Sequence, residues 1–349
     1  MNWLYQKWWK WLCAALLIYV AIGGLIVPLG PGITEVTPIT FPTNQTTTFT
    51  IKGYHTHFDQ KDMQVWLKNG MKYYCADTFY LQPDNSIVAR FGFNPSTTFD
   101  KRSFDVVINN ATDGTVALRD AVTLLADTTT PTTGTLIGSA ECTPEVNVNK
   151  TAGLIFPYRE ILYESIRNTF FHVPMWFVMT MLAFTSLIAS ILYLAKGDMK
   201  WDIISHQAIV VALVFGICGL LTGMLWANYT WGRPWVNDPK LNGAAVGVMI
   251  YFAYLVLRGS ITDEIKRARI AAVYNVFGLV IFMLFIYIIP RLTDSLHPGN
   301  GGNPAFSKYD LDSSLRMFFY PASIGWILLG FWIMSLLVRI QFVRQKLAA

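Results

Sequence analysis

Six runs of this chain are long and apolar enough to cross a lipid bilayer, near 11–29, 172–195, 207–227, 243–258, 271–290 and 318–338. The hydrocarbon core of a bilayer is about 30 Å thick and takes about 20 helical residues to span. Within it no water is on hand for bare backbone groups, so a spanning run of this length folds as a helix. The expected fold is therefore an all-α polytopic membrane bundle of six transmembrane helices. Hydrophobic residues make up 53% of the chain and charged residues 14%, with a mean hydropathy of +0.38, which excludes an ordinary soluble enzyme. Lys7 and Lys10 precede the first run as they would in a signal peptide. No small-residue cleavage site follows, and the stretch from Leu25 to Leu29, with Pro28, reads as a helix stop, so a membrane anchor is the preferred interpretation.

Lys and Arg collect in the short loops on the cytoplasmic side of membrane proteins. Lys7/Lys10, Lys196/Lys200, Arg258/Lys266/Arg267/Arg269 and Arg339/Arg344/Lys346 all fall on one side if both termini are cytoplasmic. That orientation puts 30–171, the loop after the third run and the 291–317 loop on the extracytoplasmic side. The excess of basic residues, a net charge of +5, then faces anionic lipid, and no basic, aromatic-interleaved soluble patch points to nucleic acid.

Residues 34–150 have another character. Alternating stretches at 46–51, 86–91 and 104–108, separated by Pro-Asp-Asn, Asn-Pro-Ser and Asp-Gly turns, predict short β-strands. An extracytoplasmic β-sandwich-like domain between the first and second helices is expected, dividing the chain into 1–30, 31–160 and 161–349. The Thr-rich tract 127–135 offers no apolar anchor and reads as an exposed loop or edge. Cys75 and Cys142 fall in this oxidising compartment, where a disulfide is compatible with the sequence and two free thiols equally so. Cys13 and Cys218 fall in spans as small apolar fillers. No Cys-x-x-Cys exists, so neither a thiol redox site nor covalent haem attachment of that type is encoded. Three Asn-x-Thr sequons, at Asn44, Asn110 and Asn149, carry weight only in a eukaryotic secretory setting.

Function is concentrated in 226–242, a segment with Trp226, Trp231 and Trp235 wedged between two apolar runs. Trp gathers where one end of the ring is apolar and the other wet, and flat rings stack on flat ligands. Two of the five histidines lie at the same membrane level: His172 at the start of the second run and His297 after the fifth. Two imidazoles converging over a Trp shelf suit an iron porphyrin, although a His at a helix start is often only an interfacial polar group. His206 reads as interfacial. His55 and His57 alternate on a predicted strand, with no further metal ligands in evidence.

Trp231-Gly232-x-x-Trp235-x-x-Asp238-Pro239-Lys240 resembles the tryptophan-rich WWD signature of the CcmC/CcsA haem-handling family of cytochrome c maturation. Arg167-x4-His172-Val173-Pro174 resembles the segment with the first of that family's outer histidines, and Leu296-His297 the second. Six spans with the signature between the third and fourth match the CcmC branch. Pro234 and Asn237 stand where that branch commonly has Trp, Lys240 replaces its Arg and Asn242 its Thr, and Asp-Pro-Lys is closer to CcsA. The domain at 34–150 is a further departure.

The resemblance implies that His172 and His297 ligate haem iron, that Trp226, Trp231 and Trp235 line the porphyrin, and that Asp238 and Lys240 fix the loop or meet a propionate. Arg233, with Lys240 and Arg291, is a candidate propionate partner. The implied function is that of a cytochrome c biogenesis protein of the bacterial inner membrane. It binds haem b non-covalently and transiently at the outer surface and passes it to a CcmE-type haem chaperone, alongside other cytochrome c maturation membrane proteins. No bond-making group is needed, so no enzyme activity is expected. His297, in a Gly- and Pro-rich loop, is the expected displaceable ligand. The rival readings are an envelope scaffold acting through the β-domain, a cytochrome b-like electron-transfer subunit, which would carry histidines at mid-span, and a solute transporter, which would need paired broken helices.

Overall fold

The computed structural model describes residues 7–42, 45–58, 63–93, 99–125, 141–143, 153–160, 162–297 and 311–348. Two compact units emerge, one formed by Met1–Val27 with Glu164–Ala349 and the other by Pro28–Tyr163. The tract 127–135, Asn44 and Asn149 lie outside the described residues.

Among its described residues, Pro28–Tyr163 carries nine strands: β1 (Gly32–Thr37), β2 (Thr40–Phe41), β3 (Thr47–Tyr54), β4 (Gln64–Asn69), β5 (Lys72–Cys75), β6 (Thr78–Gln82), β7 (Ser86–Phe91), β8 (Ser103–Asn110) and β9 (Gly114–Leu124). They form two sheets, ordered β1-β3-β7-β6 and β2-β9-β8-β4-β5. The period-2 geometry of a strand sends alternate side chains to one face. Phe49/Ile51 and Ile87/Ala89/Phe91 from the first sheet, with Val65/Leu67, Phe104/Val106/Ile108 and Val116/Leu118 from the second, accordingly meet in one core. The three stretches read as strands in the sequence fall in β3, β7 and β8. Cys75 and Cys142 are joined by a disulfide. His55 and His57 do not share a strand face, because β3 ends at Tyr54 and His55 takes a positive φ of 50°. His57 instead binds the buried Asp113 through its backbone N–H at 2.6 Å and Nδ1 at 2.9 Å.

The described residues of the other unit contain six helices long and apolar enough to cross a membrane, the chemistry of a multi-pass membrane protein. They are built from α1 (Trp8–Ile26), α2 (Thr169–Lys196), α3 (Met199–Trp231), α4 (Pro239–Gly259), α5 (Glu264–Met283) and α7 (Ser313–Ala348). A π-helical turn at Leu284–Ile288 and the short α6 (Ile289–Leu292) extend α5. The ends obey capping chemistry. The Asp198, Asp238 and Asp263 carboxylates accept N–H groups in the first turns of α3, α4 and α5, and Gly197 and Gly232 close α2 and α3 in the left-handed conformation. With no Gly or Pro between 224 and 231, α3 runs on through Trp231, so the first part of the Trp-rich segment, 226–231, is helical rather than loop. Cys13 is buried as expected, whereas Cys218 is exposed on α3.

Contacts between helices follow small residues and shared polar groups. Gly216, Gly219 and Gly223 of α3 face Met179, Trp176 and His172 of α2, and a Cβ at any of them would lie 2.5, 2.9 or 2.7 Å from those side chains. Asn275 of α5 donates to Ser186 of α2 at 2.8 Å and to Ser205 of α3 at 2.9 Å. Asp202 of α3 and Arg258 of α4 form a buried two-pronged ion pair, with one bond at 2.7 Å.

Two prolines inside helices show how the bundle keeps its backbone satisfied. Proline has no N–H and so leaves the carbonyl four residues earlier without its helical donor. For Pro174 of α2 that carbonyl is Phe170 O, which accepts the indole N–H of Trp326 from α7 at 3.1 Å. For Pro321 of α7 it is Met317 O, which accepts the hydroxyl of Tyr19 from α1 at 3.4 Å. Trp326→Phe should therefore lower stability in detergent by about 1 kcal/mol. The same substitution should cost little in a Pro174→Ala background, where an N–H is restored at position 174. Equal costs in both backgrounds, measured by thermal unfolding, would show that the indole does not act through this carbonyl.

Candidate functional site

At the end of the bundle where α3 stops and α4 begins, four rings form one cluster. His172 stacks on Trp226, with ring centroids 6.4 Å apart and planes 27° apart. His297 lies 6.1 Å from Trp226 and 5.0 Å from Trp231, edge-on to the latter, and the two indoles are 5.6 Å apart. Trp226 is thus the common neighbour of both imidazoles. The local sequence explains the gathering. His172 rides in the first turns of α2 against the Cβ-free surface of Gly223, and Trp226 and Trp231 occupy the last turns of α3.

Each imidazole is fixed through Nδ1. That of His172 lies 3.1 Å from the carbonyl oxygen of Gly219 and 3.2 Å from the hydroxyl of Thr222. Asn168 clamps the same turn by donating to Thr222 O at 3.1 Å. That of His297 lies 3.1 Å from the carboxylate of Asp238. An Nδ1–H held by an acceptor leaves Nε2 as the lone-pair nitrogen, the arrangement of metal-binding histidines.

Asp238 is the hub. It is 2% exposed and caps α4 through the N–H groups of Lys240 at 2.9 Å and Leu241 at 3.4 Å. It also accepts the N–H of Leu296 at 2.8 Å, so one carboxylate ties the His297 loop to the start of α4. Burial pushes its pKa upward, but the Leu296 N–H, the Ser295 hydroxyl, His297 and the Lys240 N–H outweigh that and hold it below the ordinary carboxylate value. For His297, burial is the largest influence and lowers the pKa to about 4; Asp238 raises it and Lys240 lowers it. The contact is therefore a neutral imidazole donating to a carboxylate, and the ring keeps a lone pair near neutral pH.

The remaining sequence-derived candidates are placed less closely. Trp235 is 38% exposed and stands apart from the four-ring cluster. Arg233 and Arg291 are exposed. Lys240 is half-buried in the first turn of α4, within electrostatic reach of Asp238 and Arg291. Gly219, Thr222 and Gly223 were not singled out in the sequence, although Gly219-x3-Gly223 is a small-xxx-small pattern that marks close helix approach.

A membrane bundle with two aromatic-flanked imidazoles at one end defines the class. Residues 161–297 match the family model described as cytochrome C assembly protein. "Heme exporter protein C" of Paracoccus denitrificans (strain Pd 1222) is 23% identical over 185 residues, 53% of this chain and 76% of that protein. Its namesake in Rhodobacter capsulatus is 24% identical over 136 residues, 39% of this chain and 56% of the relative. "Cytochrome c biogenesis protein CcsA" of Prochlorococcus marinus (strain MIT 9515) is 36% identical over 83 residues, 24% of this chain and 27% of the relative. The matches over 161–297 support the CcmC/CcsA family of cytochrome c maturation as the one this membrane core resembles.

Replacing Asp238 by Ala should remove the α4 cap, at a cost of about 1 kcal/mol, and release the His297 loop. Hydrogen exchange should then speed up at the amides of Lys240, Leu241 and Leu296 together. Unchanged protection at Leu296 would show that the carboxylate does not hold that loop.

Proposed function

We propose that this protein is a haem-handling membrane component of cytochrome c biogenesis, holding haem b transiently and non-covalently between His172 and His297 and delivering it to an extracytoplasmic haem chaperone of the CcmE type. The observation that carries this reading is the pair of imidazoles, each tied through Nδ1 and each against Trp226. Haem supplies an iron with two axial positions and a flat apolar ring bearing two anionic propionates. His172 and His297 offer neutral Nε2 atoms to the axial positions. Trp226 and Trp231 offer aromatic surface, with Trp235 at the exposed margin, and Lys240, Arg233 and Arg291 offer positive charge to the propionates.

The distribution of basic residues supports a bacterial inner-membrane location with both termini cytoplasmic and the β-domain and histidine end extracytoplasmic. Asp238 holds the His297 loop without entering any bond-making step, and transfer of an intact cofactor needs no catalytic group on this chain. Release requires one axial bond to give way when the chaperone, or another maturation protein, docks.

The absorption spectrum of detergent-purified protein, expressed with adequate haem, tests the proposal. The wild type should show a Soret band with low-spin features. The His172→Ala/His297→Ala variant should lose it, while at least one single variant retains bound haem. A double variant with an unchanged spectrum would remove the ligand assignment, and a colourless wild type that stays colourless with added haem would favour the scaffold reading.

A further inference from the structure

The two histidines have unlike acceptors. His172 leans on uncharged groups, the carbonyl of Gly219 and the hydroxyl of Thr222. That hydroxyl already lies within donor distance of Cys218 O, at 2.8 Å, so toward His172 it is an acceptor only. His297 leans on an anion, the Asp238 carboxylate, which is immobile because it also caps α4 and binds Leu296 N. A carboxylate drawing on an Nδ1–H gives the ring imidazolate character and strengthens Nε2 as a donor to metal, and a peptide carbonyl does so far less.

Resting on the haem reading above, we infer that the two axial ligands are unequal: Asp238 is a positioning residue that makes His297 the strong, retained iron ligand, and His172 is the one that yields when haem leaves. The Gly- and Pro-rich sequence after His297 points the other way, but the Asp238 carboxylate holds the ring itself. Both ends of the anchor are short-range, so the asymmetry belongs to the folded protein before any cargo arrives.

The test uses the full chain loaded with haem. His172→Ala should keep most of its haem through gel filtration, and His297→Ala should lose about tenfold or more in retention. Asp238→Asn keeps a capping side chain but not the charge, and should raise the midpoint potential of bound haem, because the weaker donor stabilises ferric iron less. Asp263→Asn, the matching change at the α5 cap, should leave the potential at the wild-type value. Equal losses in the two single histidine variants, or an Asp238→Asn potential equal to wild type, would overturn the inference. If the double histidine variant keeps its haem, the ligand assignment fails first and this inference falls with it. That outcome is distinct from an unshifted potential in a protein whose double variant has lost the cofactor.

Discussion

The close approach of α2 to α3 sets the rest of the membrane unit. Three glycines at 216, 219 and 223 remove the side chains that would hold the helices apart, and Met179, Trp176 and His172 fill the space one turn at a time. The spacing of four then three residues on both helices is the stagger of antiparallel packing on an i, i+3/i+4 face. The same contact that packs the bundle therefore positions the His172 imidazole. It brings the Gly219 carbonyl within 3.1 Å of His172 Nδ1, and it places Trp226, three residues beyond the last glycine, over the ring.

At the next junction the geometry changes from packing to electrostatics. His297 lies beyond the end of α6 and has no helix to hold it. Its position comes from Asp238, which lies across the fold from it in sequence and is buried by both segments. One imidazole is thus packed on a helix face and held by uncharged acceptors, and the other is held by a carboxylate.

Much of this was legible in the sequence, for identifiable reasons. The six spans were visible because hydrocarbon thickness imposes a length and a hydropathy that few other structures require. His172, His297, Trp226 and Trp231 stood out as rare residue types at one membrane level, and the structure brings those four together. The end of α3 was misplaced because Trp226–Trp231 looks amphipathic, while only Gly232 and Pro234 can stop a helix there. His55 and His57 misled because alternation continues past the point where β3 turns away. Asp238 was visible as a motif residue, but its triple duty depends on Leu296 and His297, nearly 60 positions away, and no local pattern carries that pairing. Trp235, by contrast, belongs to the motif in the sequence and stands outside the ring cluster in space.

The proline-linked contacts have a consequence for how the chain is assembled. Phe170 O and Met317 O each take a donor from another helix, and both pairings involve α7. Before α7 docks, Phe170 O lacks the indole donor that stands in for the N–H missing at Pro174. When α7 docks, Trp326 supplies that donor, and Tyr19 of α1 supplies the one that Met317 O takes. α7 thereby acts as a keystone: it links α1 and α2 through shared backbone groups, and a chain halted before residue 326 lacks the indole donor to Phe170 O, two residues from His172.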